Sequence, residues 1–141
     1  MWTEIKNELD IKNLMEDYDY FHDTCIRDIY ITTEDFVDND RYMCFKNTFT
    51  ISMLFQRQAK NNSVLELKFE SVKDMNINHL PHFSTLNDDE ATLIVNNDLF
   101  YWANRKNWNI GKNNAMWISA EKIYWRFRPE LIGDIRRINE E

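Results

Sequence analysis

The chain has 141 residues, 43% of them hydrophobic and 14% aromatic, and a formal net charge of −7. That is the size of one domain with enough apolar material for a core, and its acidity argues against a general nucleic-acid binder, which needs a basic face. Two glycines in all exclude the Gly-rich phosphate loops, and no apolar run approaches the length of a membrane span.

Residues 3–18 read as a helix. Ile11, Leu14, Met15 and Tyr18 recur at i, i+3, i+4 and i+7, Ile5 and Leu9 extend the stripe, and Thr3 is placed to cap it. Phe21 to Thr32 is β-branched and aromatic and reads as a strand of imperfect alternation, with Cys25, Ile29 and Ile31 sharing a face with Arg27. Residues 34–41 form a polar turn with two apolar anchors, Phe36 and Val37, and residues 42–45 a short strand.

The clearest signal is a hairpin. Phe49, Ile51, Met53 and Phe55 alternate with Thr50, Ser52 and Gln56, and Leu65, Leu67 and Phe69 alternate with Glu66, Lys68 and Glu70, a face polar enough to meet water. Asn61-Asn62 supplies the turn, as Asn96-Asn97 and Asn113-Asn114 are expected to do elsewhere. A short strand around Met75 and Ile77 ends at Leu80-Pro81. Then come strands at 91–95, 99–103, 115–120 and 122–127, with Trp108 in the intervening polar loop; Pro129 ends the sheet, Leu131 to Ile138 can form one helical turn or two, and the tail is expected to fray. The expected fold is α+β: one domain over 1–141, mainly an antiparallel sheet of about eight strands (β region about 22–127), curled into a sandwich or partial barrel, with the N-terminal helix packed on it.

Charge is segregated. Residues 1–50 hold 12 acidic and 5 basic side chains, a net of −7, whereas residues 51–141 hold 12 of each. An acidic third can be a solvated face, or it can steer a basic protein partner. Arg126, Arg128, Arg136 and Arg137 form a basic C-terminal end that can pair with the acidic third of the same molecule or of another copy, which leaves a homo-oligomer open. Cys25 and Cys44 belong to no CxxC pair, and Met1-Trp2-Thr3-Glu4-Ile5-Lys6 has no apolar signal core, so a reduced cytoplasmic protein is expected, with no membrane and no nucleic acid among its partners.

Candidate chemistry is sparse. His22-Asp23 with Cys25 has the residue types of a nucleophilic site, but on an extended segment His22 and Cys25 point to opposite faces. His79 and His82, three apart, are a weak metal pair, with Asp88, Asp89 and Glu90 as oxygen donors, in the absence of HExxH or paired cysteines. No catalytic residue and no cofactor are assigned, and the balance leans away from an enzyme. The aromatic strands are the remaining feature. Tyr101-Trp102 and Tyr124-Trp125 must each place one ring on the core face and one outside, and Trp108 is expected to be exposed. Tyr101, Trp102, Trp108, Tyr124 and Trp125 are therefore candidates for stacking on a small, carbohydrate-like ligand.

The order Phe21-His22-Asp23-Thr24-Cys25-Ile26, Phe55-Gln56-Arg57-Gln58, Leu65-Glu66-Leu67-Lys68-Phe69-Glu70, Tyr101-Trp102-Ala103 and Trp117-Ile118-Ser119-Ala120 resembles a family of small uncharacterised proteins, a domain of unknown function, from low-GC Gram-positive bacteria. The resemblance runs from the N-terminal helix to Arg126 and implies a bacterial, cytoplasmic origin with no assigned site. The Phe-His-Asp step also resembles the opening of some small bacterial immunity-type proteins. The leading expectation is a non-catalytic, protein-binding module, immunity- or antitoxin-like, whose acidic surface covers a basic partner. The alternative is a small-ligand domain that uses the five aromatics.

Overall fold

The computed structural model describes residues 1–77, 85–86 and 89–137. Among them, strands β1 (Thr3–Ile5), β2 (Thr24–Thr33), β5 (Phe49–Arg57), β6 (Val64–Asn76), β7 (Thr85–Leu86), β8 (Thr92–Asn96), β9 (Leu99–Ala103) and β10 (Trp117–Phe127) form one antiparallel sheet, and β3 (Phe36–Val37) and β4 (Met43–Cys44) form a separate two-stranded ribbon. The strand order is β7-β2-β5-β6-β10-β9-β8, with β1 added to β10 beyond the end of β9. Helix α1 (Glu8–Asp17) buries Ile11, Leu14 and Met15 against the sheet, so the expected α+β, mainly antiparallel architecture is the observed one.

The sheet is open but strongly curled. Phe55 on β5 and Trp102 on β9 lie three strands apart, about 14 Å in a flat sheet, yet their ring centroids are 5.3 Å apart. Phe21 stands against both, at 5.0 and 5.8 Å. The concave face thus wraps a core that α1 closes.

The helix begins later than its apolar pattern suggests. Thr3–Ile5 pairs with Ile123 to Trp125 of β10 instead, which buries Ile5 in the core as a strand residue and leaves Leu9 exposed. The N-cap is Asn7, not Thr3: its side chain accepts from Asp10 N at 2.9 Å, and Asp10 Oδ2 in turn accepts from Lys6 N at 2.8 Å. After the helix the chain reverses through Asp19, Tyr20 and Phe21 with φ of +48°, +54° and +64°. Such backbone is costly for non-glycine residues, and it is held by the complete burial of Phe21.

Two irregularities explain where strand periodicity looked imperfect. In β2, Ile26 opposes Phe55 and Asp28 opposes Leu54, so Arg27 is an extra residue. The resulting bulge lets Ile26 and Ile29 pack on the core and turns Asp28 and Tyr30 to the convex face. In β6, Val72 opposes Ala120 and Asp74 opposes Ser119, so Lys73 is extra. One strand then runs through what reads as two, and β10 likewise joins the segments expected at 115–120 and 122–127. Asparagine does serve the turns at Asn62 and Asn97, both with positive φ, and Asn97-Asp98 makes the two-residue β8–β9 loop. Asn113 and Asn114 are not left-handed; Asn107 is.

Candidate functional site

The functional candidates lie on the convex face and on the ribbon. The Glu66, Lys68, Glu70 row faces away from the core as expected, but Glu66 does not meet water: it is 5% exposed. Arg126 Nε donates to its Oε1 at 2.6 Å, Arg128 Nη1 to the same oxygen at 3.1 Å, and Arg137 Nη1 to Oε2 at 2.5 Å. Burial pushes the Glu66 carboxyl up, but the hydrogen bond and charge of Arg126, the charge of Arg137 and the hydrogen bond of Arg128 outweigh it and hold it below the usual carboxylate range.

Arg137 also reaches Asp28, Nε donating to Oδ1 at 3.0 Å and Oδ2 at 3.1 Å with Nη2 close to Oδ1. It donates to Ser52 Oγ at 2.9 Å and lies 4.9 Å from the Tyr30 ring centroid. The basic C-terminal end therefore pairs with one member of the acidic third inside the molecule. Pro129–Leu131 is a short 3-10 turn, and residues 129–137 lie on the convex face: Leu131 packs on Leu54 and Val64, Gln56 Nε2 donates to the carbonyls of Leu131 and Gly133, and Arg27 Nη2 to that of Asp134.

The five aromatic candidates are not brought together. Trp102 is fully buried in the concave core with Phe21 and Phe55. Trp125 packs on that core beside Phe127. Tyr124 is on the convex face, where Lys68 Nζ stands 4.9 Å from its ring centroid and also 4.5 Å from that of Trp2. Trp108, expected to be exposed, is 5% exposed. The 104–116 loop folds back over the sheet because Thr92 Oγ1 accepts from Trp108 N and Trp108 Nε1 donates to Lys112 O at 2.8 Å, which seats the indole between Tyr101 and Trp117. Beside them is an open cavity of about 630 Å³, lined among others by Lys73, Asp74, Tyr101, Asn113, Trp117 and Ser119. Only Tyr101 of the five lines it; Trp117 was missed because it begins a strand and carries no Tyr-Trp pairing to mark it.

The other candidates carry less. His22 Nδ1 is 3.1 Å from Asp23 Oδ2, Thr24 is buried, and Cys25 is a free, exposed thiol. His79, His82 and Asp88 lie outside the described residues. Asp89 Oδ1 accepts from the backbone of Glu90 and Lys106, and Glu90 pairs with Lys106 Nζ at 3.3 Å. No group of three or more metal-ligating side chains occurs among the described residues.

The feature that sequence patterning passed over is the 34–47 arm. Phe36 is 51%, Tyr42 70% and Phe45 67% exposed, and Val37 and Met43 are exposed beside them. Hydrogen bonds inside the segment fix the shape of this two-stranded apolar surface. Asp35 Oδ1 accepts from Lys46 N at 2.7 Å and Asn47 N at 3.3 Å, and Asp38 Oδ1 accepts from Asp40 N and Tyr42 N, both at 2.9 Å. Of the other acidic residues of the first third, Glu34 and Asp40 stay on the arm, whereas Glu4 is on β1, Glu8, Asp10, Glu16 and Asp17 are on α1, Asp19 is just after it, Asp23 precedes β2 and Asp28 lies under Arg137.

The fold and these sites define an α+β protein built on an open, curled antiparallel sheet, with one covered ion cluster and one projecting apolar arm. Among the described residues no helix is long and apolar enough to cross a membrane. No protein-family model matches the chain, and no curated protein and no solved structure shows significant similarity to it.

Proposed function

We propose that the chain is a non-catalytic protein-binding module that engages a basic partner through the 34–47 arm. The carrying observation is the arm itself: exposed aromatic and aliphatic side chains, fixed in place by carboxylate-to-backbone hydrogen bonds and accompanied by Glu34 and Asp40. Contiguous exposed apolar surface with a polar rim is the usual mark of an interface. Aromatic anchors supply contact area, while the surrounding acid steers positive partners and suppresses wrong ones. The immunity- or antitoxin-like form of the proposal, the low-GC Gram-positive origin implied by the resemblance, and a cytoplasmic location without nucleic-acid partners belong to this same reading. It narrows the acidic surface from the first third to the arm.

A photo-crosslinking residue at Tyr42, introduced in a low-GC Gram-positive host, is expected to trap a basic protein. Purified, that protein should bind the chain, and Phe36→Ser with Phe45→Ser should weaken it by about 30-fold or more while the melting curve stays within about 0.5 kcal/mol of the unmodified chain. A partner that binds the double variant undiminished would remove the arm from the proposal.

A second reading follows from the cavity beside Tyr101 and Trp117. Lys73 is paired with Glu121 at 3.0 Å and Asp74 lies beside it, so the lining offers amides, hydroxyls and ring surface with little net charge, which suits a neutral, carbohydrate-like ligand. Neutral oligosaccharides are expected to change tryptophan emission saturably, and Tyr101→Ala to abolish the change. Emission that ignores them would dispose of this reading.

A further inference from the structure

The tail that closes the convex face is held by Leu131, by Gln56 and Arg27 on its backbone carbonyls, and at Arg137 by a charged side chain. Arg137 is 8% exposed and enters a recess built by three adjacent strands: Asp28 and Tyr30 from β2, Ser52 from β5 and Glu66 from β6. The Ser52 and Glu66 walls have partners besides the tail, and the backbone sets the direction of Asp28. The Arg27 bulge aims Asp28 outward, Ser52 Oγ donates to Glu66 Oε2 at 3.2 Å, and Arg126 and Arg128 hold the other Glu66 oxygen. A planar fork of donors meeting two carboxylates and a ring face is recognition specific to a guanidinium; an ammonium could not span it.

The segment that delivers Arg137 fits less well than its terminal side chain. Between Leu131 and Arg137, Ile132 and Ile135 project into solvent at 48% and 45% exposure. Arg27, whose Nη2 holds the Asp134 carbonyl, has its Nε buried without a hydrogen-bond partner. A cavity of about 360 Å³ remains along the segment, lined by Cys25, Gln56, Arg57, Ile132 and Gly133 among others. The donor left unsatisfied beneath the segment and the open cavity beside it show backbone held less completely than the arginine it delivers.

We infer that residues 129–137 are a releasable strap, and that the Asp28–Ser52–Glu66–Tyr30 recess is an arginine socket which the strap fills in cis and an arginine in an extended segment of a protein partner takes over. The strap lowers the apparent affinity of the incoming segment by the fraction of time the socket is closed, so a partner must offer more than the guanidinium alone. The two unburied isoleucine positions and the adjoining cavity are where it can do so. The inference rests on the protein-binding reading for the existence of a partner, and on the socket's own geometry for its chemistry.

The test uses the full chain with the strap disabled, Leu131→Asp with Arg137→Ala, its fold checked by circular dichroism. The probe is a fluorescent peptide with the sequence of residues 129–137. It is expected to bind this variant at least about tenfold tighter than it binds the unmodified chain. A peptide with lysine in place of the last arginine is expected to bind at least about tenfold more weakly, and adding Asp28→Asn should abolish binding. Arm substitutions leave these affinities unchanged, so failure of the socket and failure of the arm are separately visible. A folded variant that binds neither peptide, or both alike, overturns the inference, as does an unmodified chain that binds as tightly as the variant. If the double variant does not fold, Arg137→Ala alone is melted with methylguanidinium or methylammonium. A saturable rise in Tm with the first only upholds the socket; equal effects, or none, overturn it.

Discussion

Replacing Glu66 by glutamine is expected to destabilise the protein by about 3–5 kcal/mol, the range for removing one partner of a buried ion pair, and to lower the thermal midpoint by roughly 6–20 °C for a domain of this size. Glutamine preserves the volume and one acceptor but cancels the charge that three guanidinium groups share. Arg126 and Arg128 approach Glu66 Oε1 and Arg137 approaches Oε2, with both carboxylate oxygens inside the covered region. Arg137→Ala should cost less, because Glu66 then keeps two of its three cations and Asp28, which loses its guanidinium, is 19% exposed and can regain water. Glu70→Gln, four residues along the same strand and only half-buried, should change stability by no more than about 0.5 kcal/mol. A Glu66→Gln midpoint within about 2 °C of the unmodified chain would mean less than about 1 kcal/mol at that site and would rule out the cluster as a main support of the convex face.

The same residue sets an acid limit. Glu66 titrates below its ordinary value of 4.5 in the folded protein and near that value when unfolded. Its contribution is therefore complete above pH 4.5 and is lost as pH falls through the depressed folded value. Chemical denaturation at a series of pH values should show stability declining below pH 4.5, with a shallower decline in Glu66→Gln. Parallel declines in the two proteins would assign the acid sensitivity to other carboxylates.

The residues that announce themselves in the sequence are those whose environment is decided locally. The β5–β6 hairpin is legible because its alternation and its turn agree, and α1 because Ile11, Leu14, Met15 and Tyr18 share one stripe that ends on the core. Thr3 to Ile5 was not legible as a strand: three residues carry no period, and what fixes them is β10, more than a hundred residues away. The extra residues at Arg27 and Lys73 are equally silent, since a bulge reads as broken alternation until the partner strand supplies the register. Glu66 looks like any solvent-facing carboxylate on an alternating strand. Only the return of the C-terminal segment makes it buried, so the candidate socket depends on contacts between residues 28, 66 and 137 that no window of sequence contains. The arm is a different case. Its apolar residues are plain in the sequence, but exposure is a property of what fails to pack on them, and composition cannot report that.

Trp102→Ala is expected to cost about 3–5 kcal/mol, the range for truncating a buried aromatic, and Trp102→Phe less than half as much. The indole is completely buried and bridges Phe21 and Phe55, so its loss opens a cavity at the point where the curled sheet meets the turn after α1. Phenylalanine restores part of that volume. It also removes Nε1–H, which is buried without a hydrogen-bond partner, and relief of an unsatisfied buried donor is worth about 1–3 kcal/mol. Both substitutions relieve that donor; in Trp102→Phe the relief offsets a small cavity, whereas in Trp102→Ala the larger cavity dominates. The consequence is expected to reach the backbone, because Phe21, last of the left-handed residues Asp19, Tyr20 and Phe21, packs against both Phe55 and Trp102. Hydrogen exchange should therefore quicken at the amides of Phe21, bonded to Tyr18 O, and of His22, bonded to Asp19 O, more in Trp102→Ala than the global loss of stability requires. Exchange at these two amides that merely follows global stability would show the turn to be self-supporting, and the strain to be relieved by something other than the aromatic cluster.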